Sequence, residues 1–253
     1  MELKQSSVVL LFLSFNLGFA QKLEVPQIFE GEQIVNHTAY TTSYSHNHGQ
    51  PYWVAYELES SKLISVAKRP SRFQPDPEIK PSTTPHNSYT KTGFDRGHLA
   101  PAADMAWSMQ TMKESFYTSN ICPQRPTFNR GIWKVLESNI RNWTLRPKAM
   151  ARLPHFFIVT GPIITEKAPN ISRTINHTLS VPEFFFKAII DTVGNKRGVA
   201  FLLPNQKVPS EDLWKYAMSI DELEQKLGRD LFPELADGIE AKIEAQFRKS
   251  EWE

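Results

Sequence analysis

TGFDRGHLAPAADM, residues 92 to 105, places a carboxylate (Asp95), a guanidinium (Arg96), a glycine (Gly97) and an imidazole (His98) at four consecutive positions. Glycine lacks the Cβ that restricts other residues, so the backbone there can turn or approach a ligand closely. Histidine is the side chain most readily tuned to take a proton near neutral pH. Arginine is always charged, and its planar fork matches phosphate oxygens. A base, a phosphate clamp and a turn in one tetrapeptide suggest a phosphodiester-cleaving centre. A surface turn with a salt bridge fits the same four residues, so the choice depends on the rest of the chain.

Downstream, Asn120 to Gln124 reads as a connector, and Asn129 to about Leu145 reads as a helix. Ile132, Val135, Leu136 and Ile140 give that helix its buried stripe. On a regular helix, Glu137 lies about 80° round from Asn129, and Arg141 about 40° further. Asn129, Trp133, Glu137 and Arg141 then share a stripe roughly 120° wide. An Asn carbonyl is a hard, neutral oxygen suited to Mg²⁺ that keeps most of its waters. Glu137 could hold those waters, and Arg141 could stabilise charge on a phosphate or leaving oxygen. The alternative is a solvated face carrying a Glu137–Arg141 pair.

Taken together, Asp95-Arg96-Gly97-His98, Asn120-Ile121-Cys122-Pro123-Gln124, Asn129, Glu137 and Arg141 resemble the DNA/RNA non-specific endonucleases. That family belongs to the ββα-metal superfamily. Residues 92 to 141 carry the likeness closely, and a weaker one extends from Trp53 to about Pro233. It implies an α+β fold: a mixed antiparallel sheet core with the ββα-metal motif and flanking helices. It also implies DNA and RNA as substrates and Mg²⁺ as cofactor, with Mn²⁺ or another divalent cation as the alternative. By the same resemblance His98 is the general base and Asn129 the one direct protein ligand of the metal. Glu137 orients metal-bound waters, Arg96 and Arg141 stabilise developing charge, and Asn120 supports the site. Asp95 fixes the turn or its neighbours. An upstream arginine contacts phosphate, and Arg69 and Arg72 compete for that position. The implied reaction leaves 5′-phosphate ends.

The rest of the chain is consistent with one mixed domain over residues 21 to 253. Apolar residues make up 40% of the sequence, enough for a buried core, and the net charge of +2 announces no global basic field. Nucleic acid would therefore have to meet a local patch. Residues 1 to 20 read as an export signal, with Lys4, an apolar run from Val8 to Leu13, and Gly18-Phe19-Ala20 before the cut. That predicts a secreted or periplasmic protein with no membrane span after cleavage. Cys122 is the lone cysteine, expected to be a buried small hydrophobe.

Residues 21 to 50 read as polar loop, including His46-Asn47-His48. Trp53 to Leu58 reads as a strand with Leu63 to Ala67 as its hairpin partner, followed by a proline-punctuated basic surface segment. Trp107 to Tyr117 is expected to be helical, with Met109, Met112 and Phe116 on one face. His155 to Thr160, Glu183 to Asp191 and Gly198 to Leu203 read as strands, the last two joined at Gly194-Asn195. Ser210 reads as an N-cap, Ser219 to Leu227 as a helix ending at Gly228, and the tail from Ala236 as a peripheral helix. No helix-turn-helix or zinc finger reads bases, so phosphate and sugar contacts would give low sequence selectivity. The rival from another class is a nucleic-acid-binding protein without catalysis, and a phosphatase acting on small esters is a further rival.

Overall fold

Trp53-Val54-Ala55-Tyr56 is apolar at every position, which leaves no side of the strand for water. In the computed structural model it lies within β3 (Gln50–Glu59). Trp53 and Ala55 pack into one core, and Val54, Tyr56 and Leu58 into a second on the opposite face. That is the behaviour of a strand covered on both sides. The structure describes residues 22–145, 153–165, 169–174, 177–194 and 196–253. The export signal and Asn195 lie outside the described residues.

Around β3 runs a seven-stranded antiparallel sheet in the order β1 (Gln33–Asn36), β2 (Tyr40–Ser45), β3, β6 (His155–Ile163), β9 (Phe184–Asp191), β10 (Arg197–Pro204) and β11 (Ala217–Met218). A separate two-stranded unit joins β4 (Asp95–His98) to β5 (Ile121–Gln124). A hairpin of β7 (Asn170–Thr174) and β8 (His177–Ser180) pairs with neither sheet.

The helices include α1 (Met109–Ser115), the single turn α2 (Pro126–Phe128), α3 (Lys134–Leu145), α4 (Ile220–Leu227) and α5 (Asp237–Ile243). Leu136, Ile140 and Trp143 of α3 join Leu99 and Cys122 in the core on one face of the sheet. Ile220 and Leu223 of α4 and Ile243 of α5 fill the other. Each large apolar side chain buried this way contributes about 1.5–3 kcal/mol. The mixed helix and antiparallel sheet agree with the α+β expectation.

Several local readings are corrected. The stretch read as polar loop contains β1 and β2, and the buried Thr41 and Thr42 side chains of β2 are hydrogen bonded. Thr42 Oγ1, for example, donates to the carbonyl oxygens of Trp53 and Ser119 at 3.3 and 3.0 Å. Leu63 to Ala67 is not the partner of β3, since Tyr56 is already paired with Tyr40 on one side and Ile158 on the other. Instead Val66 and Ala67 donate their amides to the Ala106 carbonyl. Asn120 to Gln124 is no connector but ends in β5. Met109 is exposed at the start of α1, while Met112 and Phe116 are buried. Ser210 opens a 3-10 segment whose N-cap is Pro209, without a side-chain cap. Ser219 does form a capping box with Glu222, and Gly228 closes α4 in the left-handed conformation at φ 63°.

Candidate active site

The β4–β5 pair followed by α3 brings the two sequence constellations to one cleft. Register places Asp95 opposite Gln124, Gly97 opposite Cys122 and His98 opposite Ile121. Gly97 serves close packing rather than a turn: a Cβ there would lie 2.0 Å from Gln124 Oε1 and 2.5 Å from its Cγ. Cys122 is fully buried, and burial pushes its thiol well above the ordinary range. It is therefore packing material, not a nucleophile.

The cleft has a volume of about 910 Å³, and its walls include Arg69, Arg96, His98, Asn129, Glu137 and Arg141. The His98 ring is held between Phe73 and Phe116, with centroids 5.4 and 5.0 Å away. Trp133 Nε1 donates to the His98 carbonyl at 3.3 Å and fixes the backbone beneath it. His98 Nε2 is buried and has no hydrogen-bond partner among the described residues. Burial, and then the nearby Arg69 charge, push the imidazole down to about 3. It therefore stands neutral at physiological pH.

Asn129 reaches the cleft by a route the regular-helix reading did not contain. Asn129 to Trp133 form a wide π-type turn, and Gly131 leaves helical geometry at φ −101°, ψ −117°. The phase between Asn129 and Glu137 is thus not that of a straight helix, and such turns recur at functional sites. Asn129 Nδ2 donates to Asp95 Oδ2 at 2.9 Å, which leaves the amide oxygen as its unused polar atom. Asp95 is also gripped by Arg130 Nε and Nη2 at 2.8 and 2.6 Å. Despite partial burial, these bonds hold its carboxyl below the usual range.

Glu137 and Arg141 lie one turn apart on α3 but do not pair with each other. Arg141 Nη1 donates to Asp104 Oδ1 at 2.9 Å, and its Nη2 donates to Ser138 Oγ at 3.2 Å. Behind them the fully buried Lys187 donates from Nζ to the Leu99 carbonyl at 3.2 Å and lies 4.7 Å from the Trp133 ring centre. Burial raises the Glu137 carboxyl while Lys187 opposes the shift, and burial lowers Lys187 while Glu137 opposes that. The two charges support one another.

Arg96 lines the cleft over the rings of Phe73 and Tyr89. Between the competing upstream arginines, Arg69 lines the cleft, and the exposed Arg72 is not among the residues that do. Asn120, expected to support the site, does not line the cleft and stands behind it as a brace. It is fully buried, accepts from the Ala100 amide, and donates to the Ala100 and Ser115 carbonyls, all at 2.9 Å. Buried and bonded in this way, it shapes the segment after His98. Asp104 and Lys187 were missed, although Asp104 stands in the opening stretch and Lys187 interrupts the apolar run of β9.

The donors suit a hard divalent cation. One neutral amide oxygen is oriented from behind by a carboxylate, and a second carboxylate, Glu137, stands within the same walls. Sulfur and imidazole clusters that would favour zinc are absent among the described residues of the cleft.

The sequence pattern of the family described as DNA/RNA non-specific endonuclease matches residues 24–238. The chain is 33% identical to the mitochondrial nuclease EXOG of Danio rerio over 213 residues, 79% of this chain and 60% of that protein. It is also 33% identical to the mitochondrial nuclease of Saccharomyces cerevisiae over 217 residues, 78% of this chain and 64% of that protein. The chain thus spans less than two thirds of these relatives. A chain in a crystal structure of the EndoG/EndoGI complex shares the fold, with TM-score 0.69 and 24% identity over 80% of this chain and 86% of that one. These relatives overturn the expectation of a secreted or periplasmic protein, since both nucleases are mitochondrial.

Proposed function

The chain belongs to the DNA/RNA non-specific endonuclease family, and from that premise we propose a divalent-metal-dependent endonuclease that hydrolyses phosphodiester bonds in DNA and RNA. The observation that carries this reading is the cleft itself. It holds a neutral imidazole on one wall, an oriented amide oxygen on another, and Arg69, Arg96 and Arg141 around them.

Phosphodiesters resist hydrolysis because their negative charge repels the nucleophile, so a site must neutralise charge and supply a base. Arg69, Arg96 and Arg141 receive the phosphate. Once that anion is bound, its charge opposes the effect of Arg69 on His98 and raises the imidazole towards the range of an effective base. The His98 imidazole then takes the proton of the attacking water. Asn129 and Glu137 would hold Mg²⁺, directly and through its waters, and the ion would supply charge stabilisation at the leaving oxygen. Loss of the 3′ oxygen leaves 5′-phosphate ends. Phe73 and Phe116 exclude water around the ring and fix its plane.

Digestion of plasmid DNA and of RNA by the purified protein, with Mg²⁺ and with chelator, tests the proposal. The expected result is cleavage of both polymers, abolished by chelator, with fragment ends that a 5′-phosphatase makes available for kinase labelling. Intact polymer at saturating Mg²⁺ would instead favour a binding protein without catalysis.

A further inference from the structure

An acidic cluster lies on the face of the sheet opposite the cleft, where α4 and α5 cover the second core. Asp221 and Glu224 belong to α4, and Glu244 directly follows α5. One carboxylate oxygen from each lies within 4.8 Å of the other two. The junction is tightly built. Gly198 of β10 has space for no side chain, since a Cβ there would lie 2.6 Å from the Ile243 carbonyl. The Asp221 amide donates to the Glu244 carbonyl at 3.3 Å.

Glu244 is the decisive residue. It is only 1% exposed, and its Oε1 is buried without a hydrogen-bond partner among the described residues. Burial raises its carboxyl, and the leading charges beside it, Glu224, Glu240, Asp230 and Asp221, are acidic and raise it further. A buried carboxylate surrounded by others is costly unless something positive neutralises it. Glu224 Oε1 already accepts from the Leu231 amide at 2.7 Å, which leaves its second oxygen for the cluster. Asp221 is exposed and opens one side to water.

We propose that Asp221, Glu224 and Glu244 bind a calcium-sized divalent cation that clips α5 onto α4, separately from the catalytic cleft. Ca²⁺ takes oxygen ligands at about 2.3–2.6 Å in flexible geometry, so ligand atoms across its shell lie about 5 Å apart. The carboxylate oxygens fall within that span. Water would complete the shell on the Asp221 side. This site does not depend on the nuclease reading.

The test uses the full chain, stripped with chelator and titrated with calcium chloride while thermal unfolding is followed. Asn129→Ala serves as a second background, so that an ion in the cleft cannot produce the signal. Saturating Ca²⁺ should raise the Tm of the wild type and of Asn129→Ala by about 5 °C. Glu244→Gln, which keeps the shape and removes the charge, should lose that rise while retaining nucleolytic activity. Asp221→Asn with Glu224→Gln, changed on the open side, should lose it as well. Equilibrium dialysis of Asn129→Ala against radioactive calcium should show one bound ion. A Tm indifferent to Ca²⁺ in Asn129→Ala would overturn the proposal and leave a proton on Glu244 as the neutralising partner. So would an equal rise in Glu244→Gln.

Discussion

Asp95 accepts a hydrogen bond from Asn129 across 2.9 Å, and so the first residue of the Asp-Arg-Gly-His run aims the amide of a residue thirty-four positions later. Residues that orient a ligating group are worth about 10–100-fold in metal affinity. Asp95→Ala should therefore raise the Mg²⁺ concentration for half-maximal activity by about that factor. Stability should change little, because Arg130, the other partner, is 72% exposed. An unchanged Mg²⁺ titration would show that the amide needs no such support.

Arg69 and Arg72 can be separated by the same assay. Arg69 lines the cleft and acts electrostatically on His98, whereas Arg72 does not line it. Removing one donor from a charge-stabilising site costs about 10²–10³-fold in turnover. Arg69→Ala should lose activity on that scale, and Arg72→Ala should stay within a few-fold of the wild type. The reverse order would place the phosphate outside the cleft described above.

The contrast between those two arginines shows what the sequence made legible. His98, Glu137 and Arg141 could be placed because each sits at a short, regular spacing from its neighbours within one strand or one helix. Arg69 and Arg72 lie on an irregular segment, where no periodicity says which side chain turns inward. Asn129 was named for its chemistry, but its geometry depends on the kink at Gly131, which a 3.6-residue count cannot foresee. Strands β1 and β2 escaped notice because polar patterning assumes that Thr and Ser face water, and Thr42 instead finds partners on two other segments. Lys187 was hidden for a similar reason. The carbonyl it bonds belongs to Leu99, eighty-eight positions earlier.

That lysine supports a third prediction. Lys187 is fully buried, and its charge acts on both Glu137 and Asp104. Removing one partner from a buried charge network leaves the others uncompensated, at about 3–5 kcal/mol. Lys187→Met should lose stability on that scale in urea titration. It should also drive the Glu137 carboxyl further up, because the largest opposing influence on it is gone. The acid limb of activity should then move to higher pH. A stable Lys187→Met with an unmoved limb would mean that Arg141 alone balances both carboxylates.

His98 gives the pH dependence of stability a definite sign. Burial and Arg69 push it down to about 3, whereas a histidine in the unfolded chain titrates near 6.5. Between those values the unfolded chain binds a proton that the folded chain refuses, so the folded state loses stability as pH falls through that window. His98→Gln removes this loss. The stability of the variant relative to wild type, from urea unfolding at successive pH values, should improve below pH 6.5 by at most about 1.4 kcal/mol per unit. Carboxylates held low, such as Asp95, lose their contribution on acidification in both proteins, so the difference isolates the imidazole. A difference that stayed flat from pH 6.5 to 4.5 would mean that His98 accepts a proton as readily folded as unfolded. The cleft would then hold an imidazole of ordinary proton affinity, and burial and Arg69 would not be depressing it.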